Sequence, residues 1–180
     1  GELFSSELAK RIKKEYGQAS VITGTNVFAH IDDLHDFFKA TDILLKEDGI
    51  ICIEAPNLVT LIENLEYDTI YHEHLSYLSL KPLRDFCKKV HMDIFNVEFH
   101  DIHGGSFRYF FGREKLRKIT ENVPKYIQLE EEKGIYTKSR LEKFALDVKN
   151  QKRELNSLLW NLKKEGKKIV GISAPAKGNA

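Results

Sequence analysis

A β-branched run, Ala19-Ser20-Val21-Ile22-Thr23-Gly24, is followed by a helical-period stretch from Ile31 to Leu45 and then by an apolar run, Ile50-Ile51-Cys52-Ile53-Glu54. Leu34, Phe37, Phe38 and Leu44/Leu45 recur at the spacing that lines one face of a helix. The flanking runs have strand length and little alternation, which is the pattern of strands buried in a parallel sheet. Asp48-Gly49 marks the break before the second strand. Strand, helix, strand in that order predicts a right-handed βαβ unit. Its carboxyl edge carries the loops Thr25 to His30 and Glu54 to Pro56, and open α/β sheets bind ligands outside the carboxyl ends of their strands.

The rest of the chain follows the same logic. Leu3, Phe4, Leu8, Ile12 and Tyr16 predict a helix stopped by Gly17, and Ser79 to Val90 predicts another with Pro82 in its first turn. Met92 to Phe99 and Ser106 to Gly112 read as an antiparallel hairpin, whose connection, Phe99 to Gly105, leaves room for a functional loop. From Thr137 to Lys164, Leu141, Phe144, Ala145, Val148, Leu155, Leu158, Leu159 and Leu162 predict one long amphipathic helix, ended by Gly166. Lys167 to Ile172 reads as a further strand, and 174–179 as the loop after it. Leu129 to Lys133, rich in glutamate, reads as a solvated charge run.

Composition narrows the function classes. With 42% hydrophobic and 31% charged residues, the 180-residue chain is globular and large enough for a sizeable core. Lys and Arg number 28 against 27 Asp and Glu, so a net charge of +1 gives no general attraction to nucleic acid or anionic membrane. No apolar run approaches the length of a membrane span, and the start lacks the apolar core of a signal peptide, which makes a cytoplasmic location the expectation. Cys52 and Cys87 read as reduced core thiols. The single methionine is Met92, and the last residues resemble the opening of a new strand-turn-helix unit, so the sequence reads as an excerpt of a longer chain.

Tyr71-His72-Glu73-His74-Leu75-Ser76-Tyr77 concentrates titratable groups. A zinc site is one reading, but His72 and His74 stand two apart, where the helical signature needs four, and no third ligand is evident. A surface turn flanked by two core tyrosines is a second. The third is general acid–base chemistry: an extended run would alternate Tyr71 and Glu73 with His72 and His74, and a carboxylate beside an imidazole makes a competent base near neutral pH. Asn26 and His30 lie between a strand end and a helix start, where capping alone would account for them. His103-Gly104-Gly105-Ser106 lets a backbone approach a ligand, with Arg108 two residues on, although turn chemistry would also explain the glycines. Lys177 sits in a terminal loop that lacks P-loop spacing but could still hold a phosphate. His35-Asp36 reads as an exposed helix face, not as a metal dipeptide.

Four stretches, taken in order, resemble one family. Asn26-Val27-Phe28-Ala29-His30, Asp68 to Tyr77, Ile102 to Ser106 and Ala174 to Asn179 together are similar to the S-adenosylmethionine-dependent nucleotide-sugar C-methyltransferases. The resemblance covers nearly the whole chain. It implies methyl transfer to the carbon beside the ketone of a nucleotide-linked 4-keto-deoxysugar, usually carried on dTDP. It implies an α/β fold: residues 1–115 as the later half of a Rossmann-like class I methyltransferase domain, 116–165 as a helical connector, and 166–180 as the start of a second Rossmann-type domain. Zinc is expected only in an N-terminal segment that precedes this sequence. By resemblance His74 is the base, Glu73 orients or polarises it, and Tyr71 contacts the sugar or its developing oxyanion. Asn26 and Val27 would meet the cofactor, Asn26 and His30 the junction between cofactor and sugar, and His103, Ser106, Arg108 and Lys177 the sugar or diphosphate. The contrasting expectation is a nucleotide-sugar binding module that no longer transfers methyl groups.

Overall fold

The computed structural model describes residues 2–171. Four strands, β1 (Ala19–Thr25), β2 (Leu45–Pro56), β3 (Met92–His100) and β4 (Ser106–Arg113), form a mixed sheet in the order β1-β2-β4-β3. β1 runs parallel to β2, while β4 runs antiparallel to both β2 and β3. The βαβ unit and the hairpin are therefore present as the patterning predicts. The fold is α/β with a mixed sheet.

The first helix, α1 (Ser6–Tyr16), starts at Ser5, whose side chain accepts from Leu8 N–H, and stops at Gly17 in a left-handed conformation (φ 82°). The crossover helix α2 (Leu34–Leu44) starts three residues later than Ile31, because Asp33 caps it by accepting from Asp36 N–H and residues 28–30 form a separate 3-10 turn. Asp48-Gly49 does not separate helix from strand. β2 begins at Leu45, and these residues lie in a bulge, with Ala19 opposite Leu45 but Val21 already opposite Ile50. Gly49 packs so close to Leu45 that a Cβ would lie 2.6 Å from Leu45 Cγ.

One face of the sheet carries the core. Ile51, Ile53 and Ala55 of β2 and Phe107, Tyr109 and Phe111 of β4 lie side by side and are at most 2% exposed. Phe28, Phe37 and Phe38 pack on them from the β1–β2 crossover, and Leu80, Leu83 and Cys87 from α4 (Leu80–Lys89). Burial pushes the Cys87 thiol up, so it stays protonated as a small core hydrophobe. Cys52 is half-buried on the opposite face.

The glutamate run is not uniformly solvated. Glu130, on α5 (Asn122–Glu132), is 1% exposed, and its carboxylate accepts from Leu80 N–H (2.6 Å), Lys81 N–H (3.1 Å) and Tyr136 O–H. It stands seven residues after the buried Val123, on the stripe that α5 turns inward. Ser79, the residue preceding α4, makes no side-chain cap, so Glu130 supplies that cap from another helix.

The long helix is present as α6 (Lys138–Lys164), capped by Thr137, but none of its residues is buried. Phe144 packs against Val59, Leu61, Ile62 and Ile135, whereas Leu155, Leu158 and Trp160 are more than half exposed. No strand follows it within the described residues: 167–171 are irregular, and Lys167 N–H donates back to Leu162 O, closing the helix end instead of pairing with a strand. Ile172 and the loop 174–179, including Lys177, lie outside the described residues. No helix among the described residues is long and apolar enough to cross a membrane.

Candidate functional site

Two loops meet at the carboxyl end of the parallel strands. After β1, Asn26 adopts a left-handed φ of 54° and donates its N–H to Glu54 O of β2, turning the chain into residues 27–30. The stretch 71–77 meets it through hydrogen bonds. Leu75 N–H and Ser76 N–H both donate to Ala29 O (2.8 and 3.3 Å), and His30 Nδ1–H donates to Glu73 O (2.8 Å). A carbonyl only accepts, which fixes the His30 proton on Nδ1 and leaves its neutral lone pair on Nε2.

The segment is not extended. His74 N–H donates to Tyr71 O (3.0 Å), closing a turn that places the Tyr71 and His74 rings together, with centroids 4.6 Å apart, instead of alternating them across a strand. The physical reason is that the main-chain groups of this stretch bond to the turn itself and to Ala29, so no ladder forms. His74 Nδ1–H donates to Thr69 O (2.8 Å), so Nε2 carries the basic lone pair of the neutral ring. His30 meets it edge to face, with centroids 4.9 Å apart.

Glu73 contributes differently from the sequence expectation. Its side chain is 55% exposed and lies 3.9 Å from His72 Nε2, while its main-chain carbonyl is what holds His30. The Thr69 carbonyl fixes His74, a role that main-chain sequence cannot announce.

The remaining predicted residues form a second group. Arg108, on β4 directly opposite Glu54, donates to the Glu54 carboxylate (2.7 Å), and Glu54 also accepts the Asn26 N–H through its main chain. That pair holds the Arg108 guanidinium above its ordinary pKa, so it remains a cation. Ser106 is fully buried and donates to Ile102 O (3.1 Å), which assigns its hydroxyl to the turn. His103 is exposed at the tip of that turn with φ 50°.

The turn is anchored to α3 (Leu58–Glu63). Gly105 O accepts from Asn57 N–H, Asn57 Nδ2 and Thr60 Oγ1 at 3.1 to 3.2 Å. Gly105 has φ 117°, and a Cβ there would lie 2.8 Å from Thr60 Cγ2. Gly105→Ala is therefore expected to cost about 2–3 kcal/mol, read as a lower urea midpoint at unchanged slope. A loss below about 0.5 kcal/mol would show that the loop relaxes freely.

Two cavities flank this arrangement. One of about 840 Å³ is lined by Ile22, Thr23, Gly24, Val27, His30 and Ile31, with Asp32, Asp33 and Asp36 also on its wall. A much smaller one, about 20 Å³, is lined by Ala29, Thr69, His74, Ser76 and Tyr77 among others. His30 borders the first and touches His74, which borders the second. Among the described residues no group of three or more His, Cys, Asp or Glu is arranged to hold a metal ion.

Residues 3–94, just over half of the chain, match the methyltransferase domain family, and residues 101–180 match the C-methyltransferase C-terminal domain family. The chain belongs to the methyltransferase domain family. It is 31% identical over 178 residues to the C-methyltransferase NovU of Streptomyces niveus, a match that covers 98% of this chain and 42% of that protein. The chain thus spans about two-fifths of the length of that relative. Among solved structures, a SAM-dependent methyltransferase from Anabaena variabilis matches with a TM-score of 0.44 and 14% identity, over 62% of this chain and 56% of that one.

Proposed function

We propose that this chain is part of an S-adenosylmethionine-dependent C-methyltransferase that methylates the carbon beside the ketone of a nucleotide-linked 4-keto-deoxysugar. The observation that carries the reading is the setting of His74: Nδ1 donates to the Thr69 carbonyl, with Tyr71 and His30 packed against the ring, and Nε2 is the nitrogen assigned here as the base. Family membership and the similarity to NovU support the transfer class. In this reading residues 1–115 complete a methyltransferase domain, 116–165 connect, and 166–180 open a second domain that helps hold the nucleotide sugar.

The residues fit the cofactor. The 840 Å³ cavity is in the range that takes a nucleoside-sized molecule, and its floor of Ile22, Ile31 and Phe37 suits an adenosine. Gly24 keeps the strand tip thin, since a Cβ there would lie 3.0 Å from Val27 Cγ2. The aspartates on its wall suit a cation. Bound there, S-adenosylmethionine supplies an electrophilic methyl group. Val27 lines that cavity on the cofactor side, with Asn26 next to it in the turn after β1, and His30 separates it from the sugar.

The proton beside a ketone is too weakly acidic for imidazole to remove unaided, so proton removal and enolate stabilisation must be coupled. His74 Nε2 takes the proton from the carbon, and the C–H electrons become the enolate. The Tyr71 hydroxyl donates to the developing oxyanion. His30, between the two cavities, would keep the enolate carbon facing the methyl group that a bound cofactor would supply. Arg108 and His103, at the β4 end, together with Lys177, are assigned to the diphosphate and sugar. Incubating the full-length protein with methyl-labelled cofactor and a 4-keto nucleotide sugar tests the reading: label is expected in the sugar. Sugar binding with no label moved would leave a binding module in its place.

A further inference from the structure

The smaller cavity is the size of one water molecule. Its volume is about 20 Å³, and about 10–15 Å³ of probe-occupied space is enough for a water. Ser76 lines it, and the Ser76 Oγ atom is buried and makes no hydrogen bond. A buried hydroxyl left without a partner costs about 1–3 kcal/mol, so such groups are paired, often by ordered water. The wall supplies further polar groups. Thr69 lines the cavity, and its hydroxyl donates to Glu66 O, which leaves its lone pairs able to accept. Leu58 and Leu61 close the other sides.

We propose that this cavity is a binding site for a single ordered water, held by Ser76 Oγ and the Thr69 side of the wall, and that Ser76 is a positioning residue for His74. Ser76 hangs from Ala29 O through its N–H, and Thr69 holds the His74 ring through its carbonyl. A water joining these two anchors across the cavity ties the main chain on both sides of His74 to one point. The aim of Nε2 then varies less, which matters because reacting atoms misplaced by about 1 Å lose rate steeply. The role in catalysis rests on the proposed transferase reading; the water site does not.

A crystal structure of the full-length protein at atomic resolution tests the site. The expected result is a water peak about 2.8 Å from Ser76 Oγ, absent in Ser76→Ala. A dry cavity, or a Ser76 hydroxyl rotated to donate to a main-chain carbonyl, overturns it, and either outcome is independent of whether the protein transfers methyl groups. The positioning role is read from kinetics. Ser76→Ala is expected to lower kcat about tenfold with KM for the sugar within about twofold, and Ser76→Thr, which keeps the hydroxyl, to recover most of the rate. Unchanged kcat in Ser76→Ala, or a loss equal in both variants, removes Ser76 from that role.

Discussion

Replacing His74 by alanine is expected to lower methyl transfer by the full-length protein roughly 10³-fold, equivalent to about 4 kcal/mol of transition-state stabilisation. The expectation rests on the ring being held at Nδ1 by the Thr69 carbonyl, with Tyr71 and His30 against it, and on the proposed role of Nε2 as the base. Neither fixed contact is needed for binding in the larger cavity, which His74 does not line. Cofactor affinity measured by calorimetry should therefore stay within about threefold of wild type, near 0.6 kcal/mol. Turnover within tenfold of wild type would remove His74 from the role of base. A parallel loss of cofactor binding would point instead to collapse of the 71–77 turn.

The second large effect is on stability. Glu130→Ala is expected to destabilise the fold by about 3 kcal/mol, because it strips acceptors from Leu80 N–H and Lys81 N–H at the start of α4. Glu130→Gln keeps one acceptor and should cost about 1 kcal/mol. The two variants separate further with pH. Burial raises the Glu130 carboxyl above the ordinary glutamate range, against the opposing pull of the Tyr136 hydroxyl and the Leu80 and Lys81 amides. A carboxyl whose folded pKa is raised takes up a proton on folding. The stability it contributes is fully present below the ordinary glutamate pKa and is lost as pH rises through the raised value. Urea unfolding across the mildly acidic range should thus show wild type gaining on Glu130→Gln as pH falls. A constant difference would mean that the carboxyl stays ionised throughout.

Legibility in the sequence followed the range of the interactions. The β1, α2 and β2 succession, the hairpin, α4 and α6 are set by local period and turn residues, readable from Leu34, Phe37 and Phe38, from Pro82 and from Gly166, whereas the Asp33 cap that starts α2 was not read. The turn at 71–74 was not readable. Its residue types suit an extended run that alternates Tyr71 and Glu73 with His72 and His74, whereas the main-chain bond from His74 N–H to Tyr71 O, backed by the Thr69 and Ala29 carbonyls, makes it a turn that joins Tyr71 to His74. Glu130 failed in a similar way: its neighbours Glu131 and Glu132 are exposed, and composition hid its place on the inward stripe with Val123. Of the site residues, the place of His30 follows from the loop at the β1 end, but that Tyr71 and His74 join it does not, since main-chain bonds to Ala29 O draw them there. The part played by Glu73 through its main chain does not, because a main-chain contact leaves no mark on residue type.

The most direct test of His74 as the base separates proton removal from methyl transfer. Full-length protein is incubated in deuterated water with the 4-keto nucleotide sugar and S-adenosylhomocysteine, which occupies the cofactor site but carries no methyl group. Deuterium at the carbon beside the ketone, followed by NMR, is expected with wild type and is expected to be absent with His74→Ala. Equal exchange in the two proteins would contradict the assignment of His74 Nε2 as the group that takes the proton.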